Sequence, residues 1–152
     1  MIFENALSNL KAKINSISTQ KNVDLLIVSG DVGSAGVESD YEKCKVFLNF
    51  LINFKKPIII VPGNHDLSWN ATKIGKDKKK FDDYKEFLKK FIQKIPDVVY
   101  NEKEDYCYYR IMDLNLIFVG VNSCKEITYN DTDFALIDGP YLETIKKNIL
   151  FS

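Results

Sequence analysis

Histidine is almost absent from this sequence, since its 152 residues include only His65. Cysteine is also scarce: Cys44, Cys107 and Cys124 lie far apart, and no two have the Cys-x-x-Cys spacing of structural zinc sites. Their odd number and wide separation argue against a disulfide framework. We therefore expect three reduced, mostly buried thiols in a cytoplasmic protein.

An excess of charge of one sign and long apolar runs are absent as well. The 21 basic and 21 acidic residues give a net charge of +0, so no overall field favours nucleic acid or a membrane surface. No apolar run approaches the length that crosses a bilayer, and the first residues do not resemble a signal peptide. Membrane association is therefore not expected. The 45% hydrophobic content is ordinary for a globular protein, and one domain over residues 1–152 is predicted.

Apolar periodicity predicts alternating helices and strands in the first 61 residues. Residues 3–17 carry apolar side chains every three or four positions, which is typical of an amphipathic helix. Residues 23–28 and 57–61 are short apolar runs typical of buried strands, and a helix is predicted between them at 40–54. Two such strands joined by a helix form a βαβ unit with parallel strands, so the predicted fold class is α/β.

Later segments are predicted from the same patterns and from turn residues. They are a polar, lysine-rich loop at 68–80, a helix at 81–94, strands at 106–112 and 114–122 joined by a tight turn at Asp113, an irregular segment at 123–138 and a helix from Pro140 to the end. No repeat or linker indicates a second domain.

Polar residues follow both strands of the predicted βαβ unit. Gly30 and Asp31 end the first strand, and the second runs into Gly63, Asn64 and His65, followed by Asp66. Because parallel strands end at the same edge of a sheet, these residues are expected to lie together. Carboxylate and amide oxygens bind hard cations, imidazole can donate a proton, and a neighbouring carboxylate can orient it. Each piece alone is typical of an ordinary turn, but the connected pattern favours a site.

The stretches "LLIVSGDVGSAG" and "PIIIVPGNHDLSW" resemble the Gly-Asp and Gly-Asn-His-Asp blocks of the calcineurin-like metallophosphoesterase superfamily. The resemblance extends over roughly residues 3–70. It implies a four-layer α/β sandwich with two divalent metal ions (manganese, iron, zinc or magnesium) at the strand ends. It also implies hydrolysis of a phosphomonoester or phosphodiester by a metal-activated water.

The resemblance also implies a role for each residue of these blocks. Asp31 would bridge both metals, and Asn64 would bind the second metal. His65 would stabilise the transferring phosphoryl group or protonate the leaving oxygen, and Asp66 would hold His65 in position. Gly30 and Gly63 would form the turns that expose these side chains.

Other blocks of the family pattern cannot be present in a chain with one histidine. They are an Asp-x-His block before the first helix, and a lone histidine and a Gly-His-x-His block towards the end. We therefore expect the central portion of a phosphoesterase domain, incomplete at both ends and lacking several metal ligands. Self-association or a complementing chain would then cover exposed sheet edges.

Two other functions are weighed against this one. The first is a catalytically inactive remnant of the fold that acts as a partner-binding module. The second is a nucleotide-binding module, which has less support because neither GxxxxGK[ST] nor a helix-opening GxGxxG occurs.

The lysine-rich loop could contact phosphates of a nucleic acid. Its lysines are Lys73, Lys76, Lys78, Lys79 and Lys80. Acidic residues close by favour a solvated loop instead, so a nucleic-acid partner has weak support.

Trp69 could stack on a base, but packing in the protein interior is favoured.

Overall fold

The computed structural model describes residues 2–74, 79–128 and 136–150. Its helices and strands are α1 (Ile2–Gln20), β1 (Leu26–Ser29), α2 (Glu38–Ile52), β2 (Ile58–Val61), α3 (Trp69–Lys73), α4 (Asp82–Ile92), β3 (Val98–Asn101), β4 (Tyr106–Ile111), β5 (Leu116–Val121) and α5 (Gly139–Leu150). None of the helices in these ranges is long and apolar enough to cross a membrane.

Two sheets form the centre of the fold. β1 and β2 pair in parallel, with Leu26 opposite Ile58 and Ser29 opposite Val61, so the predicted βαβ unit is confirmed. β3, β4 and β5 form an antiparallel sheet in that order. A Cβ atom on Gly120 would lie 2.6 Å from Ile59 Cγ2, so the two sheets approach each other closely at this point.

Helices cover both sheets, and the resulting mixed α/β architecture confirms the predicted fold class. On one side, α2 and α4 pack on the β1–β2 sheet, and the rings of Tyr41 and Phe87 stack with centroids 4.9 Å apart. On the other side, α5 packs on the β3–β5 sheet through Tyr141 and Ile145, which contact Tyr106. Alternation along β4 and β5 gives each face of that sheet an apolar surface.

The structure differs from the sequence prediction in several short elements. β3 was not predicted, because it has only four residues and its sequence, Val-Val-Tyr-Asn, shows no apolar–polar alternation. The helix α3 lies within the predicted loop 68–80 and begins where Ser68 accepts a hydrogen bond from the Ala71 N–H. The link between β4 and β5 is a 3₁₀ turn at Met112–Leu114 that ends at Asn115 with φ of 51°, not a tight turn at Asp113.

Candidate functional site

The end of β1 turns sharply through two residues in the left-handed region. Gly30 has φ of +97° and Asp31 has φ of +54°. Glycine adopts this conformation without strain, and aspartate is among the residues that tolerate it best. The turn leaves the Asp31 side chain exposed at the carboxyl end of the strand.

The loop after β2 lies directly against this turn because both loops contain glycine at the point of contact. A Cβ atom on Gly30 would lie 2.8 Å from Gly63 N. A Cβ atom on Gly63 would lie 2.6 Å from Asp31 N and closer still to Asp31 Oδ1. Side chains at either position would push the loops apart, so the two glycines set the spacing of the site.

Asp31 and His65 meet at this edge of the parallel sheet. The backbone N–H of His65 donates to Asp31 Oδ1 over 3.1 Å, and both side chains are exposed. The imidazole Nδ1 lies 3.3 Å from the carbonyl oxygen of Ser34. Because a carbonyl only accepts, Nδ1 carries hydrogen in this contact, and in the neutral ring Nε2 is then the acceptor.

Asp66 binds the backbone of both loops rather than the imidazole of His65. Its carboxylate is buried and accepts from the N–H groups of Gly33 at 2.5 Å, Gly63 at 2.9 Å and Val32 at 3.1 Å. Burial raises the pKa of Asp66, the three N–H donors oppose that rise, and the charge of Asp31 adds to it. The contact that the sequence led us to expect, between Asp66 and the imidazole of His65, is thus not the one that the structure shows.

The start of α2 holds the loop after β1 in place. Asp40 Oδ2 accepts from the N–H groups of Ser34 and Ala35, and Tyr41 Oη donates to the carbonyl oxygen of Asp66 over 2.9 Å. Desolvation raises the pKa of Asp40, but these N–H donors outweigh it, so the pKa lies below its usual range. Sequence reasoning missed both residues, although an acidic residue in the first turn of a helix signals such contacts.

Comparison with known proteins identifies the family of this chain. A sequence model described as calcineurin-like phosphoesterase matches residues 4–140. The chain belongs to the calcineurin-like phosphoesterase family. The chain is also 40% identical over 58 residues to a protein of Xenorhabdus bovienii (strain SS-2004) named as a probable cyclic nucleotide phosphodiesterase. That match covers 38% of this chain and 22% of the relative. No solved structure matches the chain significantly.

Calcineurin-like phosphoesterases generally use divalent metal ions. Asp31 and Asn64 offer the oxygen atoms that such ions bind, whereas both oxygens of Asp66 are occupied by N–H donors. The described residues include no group of three or more histidine, cysteine, aspartate or glutamate side chains placed to hold an ion. Asp31 and Asn64 are fewer protein donors than two ions require.

The turn after β5 is held in place by a buried asparagine. Asn122 is fully buried, and its Nδ2 donates to Asp105 Oδ2 over 2.7 Å. Its Oδ1 accepts from the N–H of Cys124 over 2.9 Å and so fixes the turn. Burial raises the pKa of Cys124, and the charges of Asp31 and Asp66 contribute, as expected for a thiol near the site.

Lys80 joins Ser68 to the segment 125–127 and is buried, whereas the sequence favoured a solvated loop. Its Nζ donates to the carbonyl oxygens of Lys125 and Ile127, each over 2.5 Å, and its own carbonyl accepts from the Ser68 N–H. Lys73 and Lys79 are exposed. Lys76 and Lys78 lie outside the described residues.

Trp69 packs against the hydrophobic core, in agreement with the favoured interpretation.

Proposed function

We propose that this chain hydrolyses phosphoesters at the joined ends of β1 and β2, and that a phosphodiester such as a cyclic nucleotide is the first substrate class to test. Membership of the calcineurin-like phosphoesterase family supports the reaction class. The name of the Xenorhabdus bovienii relative supports the choice of a phosphodiester. One observation carries the assignment to this site: Asp31 and the His65 loop share an exposed hydrogen bond at the strand ends.

The residues of the site would divide the work according to their surroundings. Asp31 and Asn64 would hold the divalent ion, and His65 would face the phosphoryl group because its ring is exposed and anchored at Nδ1. Nε2 of the imidazolium form can donate a proton or hydrogen bond to a phosphoryl or leaving oxygen. Asp66 would keep the two loops at a fixed distance through its backbone contacts.

A divalent ion, when bound, supplies a Lewis acid and lowers the pKa of its bound water. Binding of a second ion, as the resemblance implies, would need donors beyond Asp31 and Asn64. Among the described residues, β1 pairs with β2 alone, so its other edge is free. A further strand at this free edge, from another polypeptide segment or another chain, would end beside Asp31 and could bring such donors.

The second candidate function is a non-catalytic module of the phosphoesterase fold that binds a partner. It is favoured by one observation, the lack of a three-residue donor group in the part of the chain that the structure describes. This candidate does not require a metal ion or an intact Asp31.

Hydrolysis of bis(p-nitrophenyl) phosphate and of a cyclic nucleotide, measured with manganese, separates the two candidates. The purified chain is compared with Asp31→Asn, because asparagine has nearly the same shape and tolerates the left-handed conformation of this residue. Asp24→Asn is the matched control, since Asp24 is exposed and lies before the opposite end of β1. We expect slow hydrolysis that Asp31→Asn reduces at least about tenfold and Asp24→Asn leaves unchanged. Equal rates for all three proteins would overturn the proposal and favour the non-catalytic module.

A further inference from the structure

A groove runs between α2 and α4, on the helical layer that covers the β1–β2 sheet. Its cavity volume is about 340 Å³, and its floor includes the stacked rings of Tyr41 and Phe87 together with Phe91. These aromatic side chains are almost fully buried in the folded chain. The groove therefore has a fixed apolar floor between two helices.

Charged residues divide the rims of this groove into two zones. The acidic zone contains Glu38, Glu42, Asp83 and Glu86, which lie within about one turn of Tyr41 or Phe87. The basic zone contains Lys45, Lys90 and Lys94, which follow three to seven positions after Tyr41 or Phe87 in the sequence. Lys45 also pairs with Glu42 of the acidic zone on the same helix. All seven charged side chains are exposed.

The division into zones arises from where the charged residues lie along the two helices. Acidic residues are favourable near a helix N-terminus and basic residues near a C-terminus. The lining residues span 38–49 on α2 and 83–94 on α4 and the two residues after it, and Tyr41 lies against Tyr84 and Phe87. Both segments therefore carry their acidic residues beside this aromatic contact and their basic residues further along the chain.

A surface with two opposite charge zones is complementary to itself. A two-fold axis across the groove would place the acidic zone of one copy against the basic zone of another, and the reverse. Val46 adds an apolar contact, because it is 60% exposed and lies on the outward side of α2 between Glu42 and Asn49. We propose that the α2–α4 groove is the contact surface of a two-fold dimer of this chain.

This dimer would leave the candidate phosphoesterase site accessible, because the groove lies on the outer helices and none of its lining residues is Asp31, Asn64 or His65. The proposal does not depend on the proposed function. It also differs from pairing at the β1 edge, which would be insensitive to the charges on α2 and α4.

Charge reversal in two complementary variants tests the proposal. The first variant, Lys90→Glu with Lys94→Glu, makes the groove mostly acidic, with Lys45 as its remaining basic residue, and the second, Glu38→Lys with Glu42→Lys, makes it more basic. The mass of each protein in solution is measured by sedimentation velocity at about 0.05 M and about 0.5 M salt. Lys146→Glu with Lys147→Glu is the matched control, since both lysines are exposed on α5. Circular dichroism melts check that every variant is folded.

We expect the unaltered chain and the control to dimerise at low salt and to dissociate at high salt. Each groove variant alone should be monomeric, and an equimolar mixture of the two should recover a dimer. Three results would overturn the proposal. They are a monomeric unaltered chain at low salt, groove variants that dimerise as well as the control does, or a mixture that stays monomeric.

Discussion

His65 donates its backbone N–H to the carboxylate of Asp31 over 3.1 Å, although 34 positions separate the two residues in the sequence. This bond joins the loops that follow two parallel strands. It fixes one carboxylate oxygen of Asp31 and places the imidazole beside it on the exposed edge of the sheet. The chemistry of the site therefore depends on how closely these two loops approach.

Substitution of Gly63 by alanine should separate the loops. The added Cβ would lie 2.6 Å from Asp31 N, so we expect the free energy of unfolding to fall by about 1–3 kcal/mol and hydrolysis to fall with it. Gly139→Ala is the matched control, because a Cβ at Gly139 meets nothing within 4 Å. Urea denaturation of both variants measures the effect. Equal stability of Gly63→Ala and the unaltered chain would contradict this account of the spacing.

Removal of the Asp66 carboxylate should destabilise the fold strongly. Asp66→Ala would leave the N–H groups of Val32, Gly33 and Gly63 without their acceptor in a largely buried region. We expect the free energy of unfolding to fall by about 2–4 kcal/mol. Asp24→Ala, at an exposed position, should change it by less than about 0.5 kcal/mol. Urea titrations that give similar values for both variants would disprove the role assigned to Asp66.

The contribution of Asp40 to stability should depend on pH. Desolvation raises its pKa, but hydrogen bonds from the N–H groups of Ala35 and Ser34 lower it more, and the net pKa in the folded chain is below 3.8. A carboxyl group whose pKa is lowered by folding stabilises the folded state at pH values above its ordinary pKa. That stabilisation is lost as the pH falls through the pKa of the folded state. The difference in unfolding free energy between the unaltered chain and Asp40→Asn should therefore shrink as the pH falls from about 5 to below about 3. If the difference in unfolding free energy grew in acid, folding would raise the pKa of Asp40 and not lower it.

Two buried tyrosines in the same aromatic cluster should respond differently to loss of the hydroxyl. Tyr84 Oη has no hydrogen-bond partner within the described part of the chain, so Tyr84→Phe should keep or raise stability, by up to about 1 kcal/mol. Tyr41 Oη donates to the Asp66 carbonyl, so Tyr41→Phe should cost about 1 kcal/mol. Thermal and urea denaturation of the pair compare them directly. If Tyr41→Phe were more stable than Tyr84→Phe, the hydrogen-bond partners of the two hydroxyl groups would be assigned incorrectly.

The βαβ unit and its polar strand ends could be predicted from the sequence, because buried strands, a periodic helix and Gly-Asp or Gly-Asn-His-Asp turns all have local signals. The contacts of Asp66 could not, since they depend on a loop more than 30 residues away. Burial of Lys80 could not be predicted for the same reason: its acceptors are carbonyl oxygens of residues 125 and 127. The resemblance predicted the family correctly, while the individual roles of Asp31, Asn64 and His65 remain predictions.

Manganese binding tests the central claim, that Asp31 is the residue through which this site holds a cation. Free manganese is measured by electron paramagnetic resonance as the metal is titrated into the unaltered chain, Asp31→Asn and the control Asp24→Asn. The account predicts one ion per chain, bound at least about tenfold more weakly by Asp31→Asn and equally well by Asp24→Asn. Binding of the same strength to all three proteins, or to none of them, would contradict it.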